Sequence, residues 1–321
     1  MNLDDLGWDE RWATALAALP APEGLTPARV TAVHRGFVEL NTDDEKLPVA
    51  GAVDDQPVVG DWVGVRDGAV RAILPRRTTL AREDSTLVAN ADLAIIVSSL
   101  NADLNLRRLE RFAALARGGG IEPLVALSKG DLHDDPAAAT EEVVERLGGL
   151  DVLVFSAQDD WGVQAIRARM RPRSTSVLIG MSGVGKSTLV NLLLGSEVQR
   201  TLGLRDDDRG QHATTHRELF VLDDGALLID TPGVRSPALA DAEGVEDAFA
   251  DIAALAEGCR FGDCAHDSEP GCAVRGAVSE ERLESMRKLE REGWSAQQRR
   301  DRDRSTGRIG REAMRLKGRD D

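Results

Sequence analysis

The chain has 321 residues, a formal net charge of −15, three cysteines and no tyrosine. No apolar run approaches the ~18 residues of a membrane span, and the acidic N-terminus lacks the basic region of a secretory signal. Three thiols leave an odd cysteine for any disulfide framework. A cytoplasmic protein of two or three domains with no membrane partner is therefore expected.

Residues 1–27 read as an N-terminal extension. Its amphipathic piece, Leu6 to Leu19, carries Trp8 and Trp12 and is ended by Pro20, Pro22 and Gly24. Both tryptophans are expected to pack against a neighbouring unit. Residues 28–80 hold short β-like runs at Ala28 to Val33, Gly36 to Leu40, Leu47 to Val53, Val58 to Val65 and Ala69 to Leu74, punctuated by Gly60-Asp61 and Asp67-Gly68. Such spacing predicts a small β-barrel, and composition does not separate an OB-fold from an SH3-like one. His34, Arg35 and Phe37 on an early strand suit either an RNA contact or a core or edge role.

Residues 81–240 have the alternation of an α/β unit. A buried strand, Leu93 to Val97, precedes a helix from Leu106 to Ala116 with an apolar face at Leu109, Phe112, Ala113 and Ala116. The strand Pro123 to Leu127 closes on Ser128-Lys129-Gly130-Asp131. A carboxylate there can accept from guanine N1–H and N2–H2, a donor pair that adenine does not offer. The usual first residue of this motif is Asn, so Ser128 removes a side-chain amide and leaves an ATPase as a rival. A helix from Pro136 to Leu147 follows, opened by Asp134-Asp135 and stopped by Gly148-Gly149. The next strand, Val152 to Phe155, ends in Ser156-Ala157, where a backbone amide could meet guanine O6.

The strand Ser176 to Ile179 then delivers Gly180-Met181-Ser182-Gly183-Val184-Gly185-Lys186-Ser187, which fits G-x-x-x-x-G-K-[ST]. Glycines 180, 183 and 185 let backbone amides turn inward around phosphate oxygens, and the helix beginning near Lys186, with Ser187 and Thr188 in its first turn, adds its positive end. Lys186 would reach the β- and γ-phosphates, and the Ser187 hydroxyl would ligate Mg2+. Lysine is scarce, five in the chain, so a chance G-K-S behind correctly spaced glycines is improbable. Nucleotide contacts are thus expected at Ser128, Lys129, Asp131, Ser156, Ala157, Gly180, Ser182, Gly183, Val184, Gly185, Lys186, Ser187, Thr188, Asp230 and Gly233.

Gly210 to His216 is a polar loop that suits a γ-phosphate-sensing switch. Thr214 or Thr215 would complete the Mg2+ shell, and His212 is the candidate to meet the attacking water, its alternative being a loop histidine facing RNA or solvent. After the apolar run Ala226 to Ile229, Asp230-Thr231-Pro232-Gly233 lies 43 residues beyond Ser187. Asp230 would hold Mg2+ and Gly233 would approach the γ-phosphate. Val234 occupies the place where many GTPases carry a water-orienting Gln, so slow intrinsic hydrolysis is expected. The base-reading segments precede the P-loop, whereas an ordinary GTPase has them after it. The order is that of a circularly permuted GTPase.

Residues 241–321 start with a helical stretch, 241–257, and then place Cys259, Cys264, His266 and Cys272 in the pattern C-x4-C-x-H-x5-C. Three soft ligands and an imidazole within one knuckle suit a closed, structural Zn2+ site. Residues 287–319 contain 12 Lys/Arg and 5 Asp/Glu. A basic, helical tail on an acidic body is a nucleic-acid pattern, or a solvated face.

With its order of motifs and its C-x4-C-x-H-x5-C set, the chain from about residue 28 to about residue 290 resembles the RsgA (YjeQ) family. That resemblance implies an OB-fold over residues 28–80, a permuted GTPase over 81–240 and a zinc-binding domain with this same ligand order over 241–321. It also implies GTP as substrate, Mg2+, one Zn2+ per chain, a hydrophobic residue in place of the catalytic Gln, and action as a monomer on the small (30S) ribosomal subunit and its rRNA in late assembly. A permuted GTPase acting on the large subunit, and a protein-binding switch outside the ribosome, are the alternatives.

Overall fold

The computed structural model describes residues 2–34, 36–43, 46–50, 56–82, 85–101, 104–158, 161–201, 217–231, 243–295 and 298. The N-terminal piece becomes helical only as α1 (Glu10–Ala17), because the Asp9 carboxylate accepts from the amides of Arg11 and Trp12 at 3.0 and 3.2 Å and so fixes the start. Trp8 and Trp12 both meet the ring of Trp62, at 4.9 and 6.0 Å between centroids. The extension is thereby packed onto the unit that follows, as its tryptophans suggested.

That unit consists of β1 (Thr26–His34), β2 (Phe37–Asn41), β3 (Lys46–Ala50), β4 (Trp62–Arg66) and β5 (Ala69–Ile73). β1 pairs antiparallel with both β2 and β4, β2 with β3, and β4 with β5, while β3 lies against β5. The strands enclose an apolar cluster that includes Val30, Leu40, Val63 and Val70. The fourth strand starts at Trp62 rather than at Val58. The buried Asp61 carboxylate accepts from the Val58 amide at 2.8 Å and from Arg76 Nε and Nη2 at 2.8 Å each, while Gly60 takes φ +91°, so residues 58–61 turn. The end of the predicted third strand, residues 51–53, lies outside the described residues.

A hairpin that periodicity did not announce, β6 (Thr79–Arg82) and β7 (Ser85–Ala89), leads into the α/β layer. Its strands are β8 (Leu93–Ser99), β9 (Glu122–Ser128), β10 (Val152–Val154), β11 (Thr175–Gly180), β12 (Arg217–Val221) and β13 (Leu227–Asp230). They run in the order β10-β9-β8-β11-β13-β12, and all neighbours are parallel except β12 with β13. The sheet is covered by α2 (Leu106–Gly118), α3 (Pro136–Arg146), α4 (Val163–Arg167) and α5 (Lys186–Thr201), the last broken at Gly195. Asn105 and Asp135 cap α2 and α3, and Pro136 sits where its missing N–H costs nothing. Apolar clusters lie on each face, one including Phe112 of α2 and the other Leu189 and Leu193 of α5. This explains why β8 and β11 read as unbroken apolar runs.

β1 also pairs with β12, at Ala32–Glu218 and Val33–Arg217, so the first sheet continues into the second. The buried Arg29 crosses the same boundary. Its Nη2 donates to Thr175 Oγ1 at 2.8 Å, it bonds the Leu6 carbonyl, and it lies 5.0 Å over the Trp62 ring. The predicted helix at 241–257 is divided into α6 (Glu243–Ala248) and α7 (Ala250–Ala256), with Phe249 between them out of helical conformation. A final helix, α8, covers 280–295. Among the described residues no helix is long and apolar enough to cross a membrane.

Candidate nucleotide site and metal centre

The parallel strands bring their carboxyl ends to one rim, where α/β sheets place their ligands. At that rim β11 ends in Gly180, which hugs its neighbour strand: an added Cβ would lie 2.3 Å from the Val97 carbonyl oxygen. Gly183 has φ +81° and open space around it, the backbone conformation that lets the amides of such a loop turn toward an anion. Lys186 curls back over this loop, its Nζ donating to the carbonyls of Gly180 and Met181 at 3.0 and 2.6 Å. Burial lowers its pKa, and the nearby charge of Asp230, itself buried, pulls the other way. Ser182, Ser187 and Thr188 are exposed at the mouth of the loop. Thr231 Oγ1 donates to the Leu178 carbonyl at 2.5 Å, which ties the end of β13, and with it Asp230, to the P-loop strand.

Ser128 stands at the end of β9, two strands away from β11, yet it touches the P-loop. Its buried hydroxyl donates to the Val184 carbonyl at 2.6 Å, and an added Cβ on Gly185 would come within 3.2 Å of the serine side chain. The departure from Asn therefore keeps a polar link to the phosphate loop. Lys129 adopts φ +63°, a left-handed conformation uncommon in a non-glycine residue. It swings the chain into a 3-10 turn, Gly130–Leu132, that leaves Asp131 exposed at the rim. The Gly130 amide donates to the Phe155 carbonyl at 3.2 Å, joining this turn to the loop that follows β10. In that loop Ser156 is buried and its amide is already engaged with the Trp161 carbonyl at 2.9 Å, while Ala157 is exposed. The sheet thus gathers the residues expected at 128–131, 156–157, 180–188 and 230. His212, Thr214, Thr215, Gly233 and Val234 lie outside the described residues.

The cysteines and histidine also converge. One ligand atom from each of Cys259, Cys264, His266 and Cys272 falls within 4.8 Å of all the others. Cys259 Sγ lies 3.9 Å from Cys272 Sγ, and His266 Nδ1 lies 3.6 and 3.5 Å from these two sulfurs. A tetrahedron with Zn–S bonds of about 2.3 Å and Zn–N bonds of about 2.0 Å has edges of about 3.5–3.8 Å, so the donor set fits Zn2+. Two backbone amides also reach the sulfurs, Ala273 donating to Cys259 Sγ and Arg275 to Cys272 Sγ, each at 3.3 Å.

Two groups around this cluster gave no sequence signal. The Glu269 carboxylate accepts from the amides of Ala265, Asp267 and Ser268 at 2.9–3.1 Å, which lowers its pKa to about 2 and braces the loop carrying His266 at φ +59°. Arg287 of α8 donates to the His266 carbonyl at 2.9 Å. α8 is in turn clasped to the α/β layer. Arg111 makes a two-pronged pair with Glu292 at 2.6 and 2.9 Å, and Arg107 and Arg146 pair with Glu284 and Glu281 at 2.9 and 3.0 Å. The buried Arg282 lies between Glu110 and Asp251, and burial raises the pKa of Glu110 against the pull of Ser285 and Arg282.

The same fold is present in the crystal structure of YjeQ from Thermotoga maritima, which matches 84% of this chain and 98% of its own with TM-score 0.64 at 23% identity. It is present too in YloQ, described as a circularly permuted GTPase, with TM-score 0.63, 24% identity and coverage of 86% and 96%. The strand order, with β8, β9 and β10 preceding the P-loop strand β11 in the chain, together with this likeness defines a circularly permuted P-loop GTPase fold.

Residues 73–240 match the family model of the RsgA GTPase. The small ribosomal subunit biogenesis GTPase RsgA of Streptomyces coelicolor is 46% identical over 90% of this chain and 86% of its own length. The protein of the same description from Methanosarcina acetivorans is 41% identical over 90% and 85%. This chain belongs to the RsgA GTPase family.

Proposed function

We propose that this protein binds the small ribosomal subunit in its GTP state during late assembly, hydrolyses GTP to GDP and phosphate, and leaves the subunit after hydrolysis. The observation that carries the nucleotide half of the reading is the meeting of Ser128 with Val184: residues 56 apart in sequence join the base-reading turn to the phosphate loop. The ribosomal half rests on relatives at 39–46% identity, all described as small ribosomal subunit biogenesis GTPases.

In this reading Asp131 accepts from the guanine edge and the exposed Ala157 supplies the amide for O6, since the Ser156 amide is engaged elsewhere. Lys186 leaves the carbonyls of Gly180 and Met181 for the β- and γ-phosphates. Ser187, Asp230 and Thr214 or Thr215 would hold Mg2+, which would neutralise phosphate charge when bound. Water attacks the γ-phosphorus as the bond to the β–γ bridging oxygen breaks, and His212 orients that water. Val234 offers no such help, so the subunit supplies the remaining acceleration. The strand order β1-β2-β3-β5-β4 returning to β1 supports an OB-type barrel. That barrel, the Zn2+ knuckle and the basic tail form the RNA-facing parts.

The test is co-sedimentation with isolated small and large subunits. Retention on the small subunit with a non-hydrolysable GTP analogue, and loss with GDP, is expected. Retention on the large subunit, or on neither, contradicts the reading.

A further inference from the structure

We infer that Trp161 is a positioning residue for guanine recognition: its indole lies against Gly130 and holds the Lys129–Asp131 turn in register with the second base loop. The inference rests on residues 128–131 being the base reader. Gly130 is buried, and an added Cβ there would stand 2.5 Å from Val154 Cγ1 and 2.7 Å from Trp161 Cζ3. The indole edge therefore occupies the space directly over this residue.

The ring itself has a fixed base. The Trp161 carbonyl accepts from the Ser156 amide at 2.9 Å. Gly162, at φ +79°, presses so closely on β10 that an added Cβ would lie 1.9 Å from the Val154 carbonyl oxygen. With the Gly130 amide bound to Phe155 at 3.2 Å, the two base loops and the ring interlock.

Core filling does not account for this indole. It is 49% exposed and belongs to none of the three apolar clusters found among the described residues. What it covers is a turn that needs support. Lys129 holds φ +63° and ψ +34°, a conformation that persists only where its surroundings impose it. Asp131, two residues on, carries the acceptor pair whose placement decides the base. Releasing the turn would misplace that pair, while Ser128 keeps its own bond to the Val184 carbonyl of the phosphate loop.

The experiment compares Trp161→Ala, Trp161→Phe and Asp131→Asn with the wild type in thermal midpoint, KM and kcat for GTP, and GTP-over-ATP preference. Trp161→Ala is expected to raise KM roughly tenfold and to lower the preference by a similar factor, with a smaller change in kcat. Trp161→Phe keeps a ring over Gly130 and stays near the wild type. A Trp161→Ala protein that folds and keeps wild-type KM and preference overturns the inference. Should Trp161→Ala fail to fold, GDP titrations of tryptophan fluorescence decide. A nucleotide-dependent emission change present in the wild type and absent from Trp161→Phe supports the inference, and equal changes in both contradict it. Asp131→Asn separates the two claims. If it leaves guanine preference untouched, the base-reader reading fails and this inference with it; if it moves preference toward xanthine nucleotides while Trp161→Ala does nothing, the role of Trp161 alone is lost.

Discussion

The nucleotide rim and the cysteine knuckle sit on one chain but are built by different means. At the rim, strand ends place the anchoring residues. Ser128 ends β9, Gly180 ends β11 and Asp230 ends β13, all in a sheet with apolar packing on both faces. In the knuckle no strand does this work. Residues 257–279 are turns and bends with an isolated bridge, gathered around four side chains that could hold a metal ion, and braced by Glu269 and by the hold of α8 on α2 and α3. Backbone register makes a site that survives the loss of its ligand. A site made of side chains takes its folding energy from the metal, ~10 kcal/mol or more in small zinc domains. The comparison therefore predicts that binding and hydrolysis of GTP are separable from whatever the knuckle grips.

The largest expected effect is at Asp131, the proposed base reader. Asp131→Asn should remove a preference of about 10^4 for guanine over adenine and favour xanthine nucleotides, whose 2-oxo group accepts from an amide; competition binding reads this directly. Next comes the phosphate loop. Lys186→Ala and Ser187→Ala should each lower kcat/KM for GTP by roughly a hundredfold or more while leaving the zinc content at one per chain, because neither side chain touches the knuckle.

Arg282→Ala sharpens the contrast from the other side. It removes the guanidinium paired with the buried Glu110 and with Asp251 and should destabilise the docking of α8 by about 3–5 kcal/mol. Amide exchange should accelerate along α8 and in α7, and nucleotide affinity should stay put. The smallest effect is at Glu269. Its carboxyl, held down to about 2 from an ordinary 4.5, braces its loop fully above pH ~4.5 and loses that contribution as the pH falls toward 2. In Glu269→Gln the amides of Ala265, Asp267 and Ser268 should lose this pH dependence and exchange faster at neutral pH.

The same contrast governs what was legible in the sequence. A strand that is buried on both faces announces itself as an apolar run, so β8, β9, β11 and β13 could be read, and a loop of fixed spacing behind β11 could be read with them. Caps such as Asp135-Pro136 act within one turn and are equally local. What could not be read depends on partners distant in sequence. Asp61 turns the chain before β4 because Arg76 meets it, and Trp161 shows only as one aromatic in a polar loop until Gly130 is seen beneath it. The arginines of α2 look like a solvated face until α8 brings Glu284 and Glu292, 177 and 181 residues further on, against Arg107 and Arg111. Ser128 reads as a weakened motif in one dimension and as a link to Val184 in three.

Cys264→Ser tests the separation most directly, by zinc content, basal GTP hydrolysis and hydrolysis stimulated by the small subunit on the same preparations. Lost zinc, a basal rate close to that of the wild type, and stimulation strongly reduced along with subunit binding are expected. A protein that loses its zinc yet keeps full stimulation, or one whose basal hydrolysis collapses with the metal, would contradict the separation.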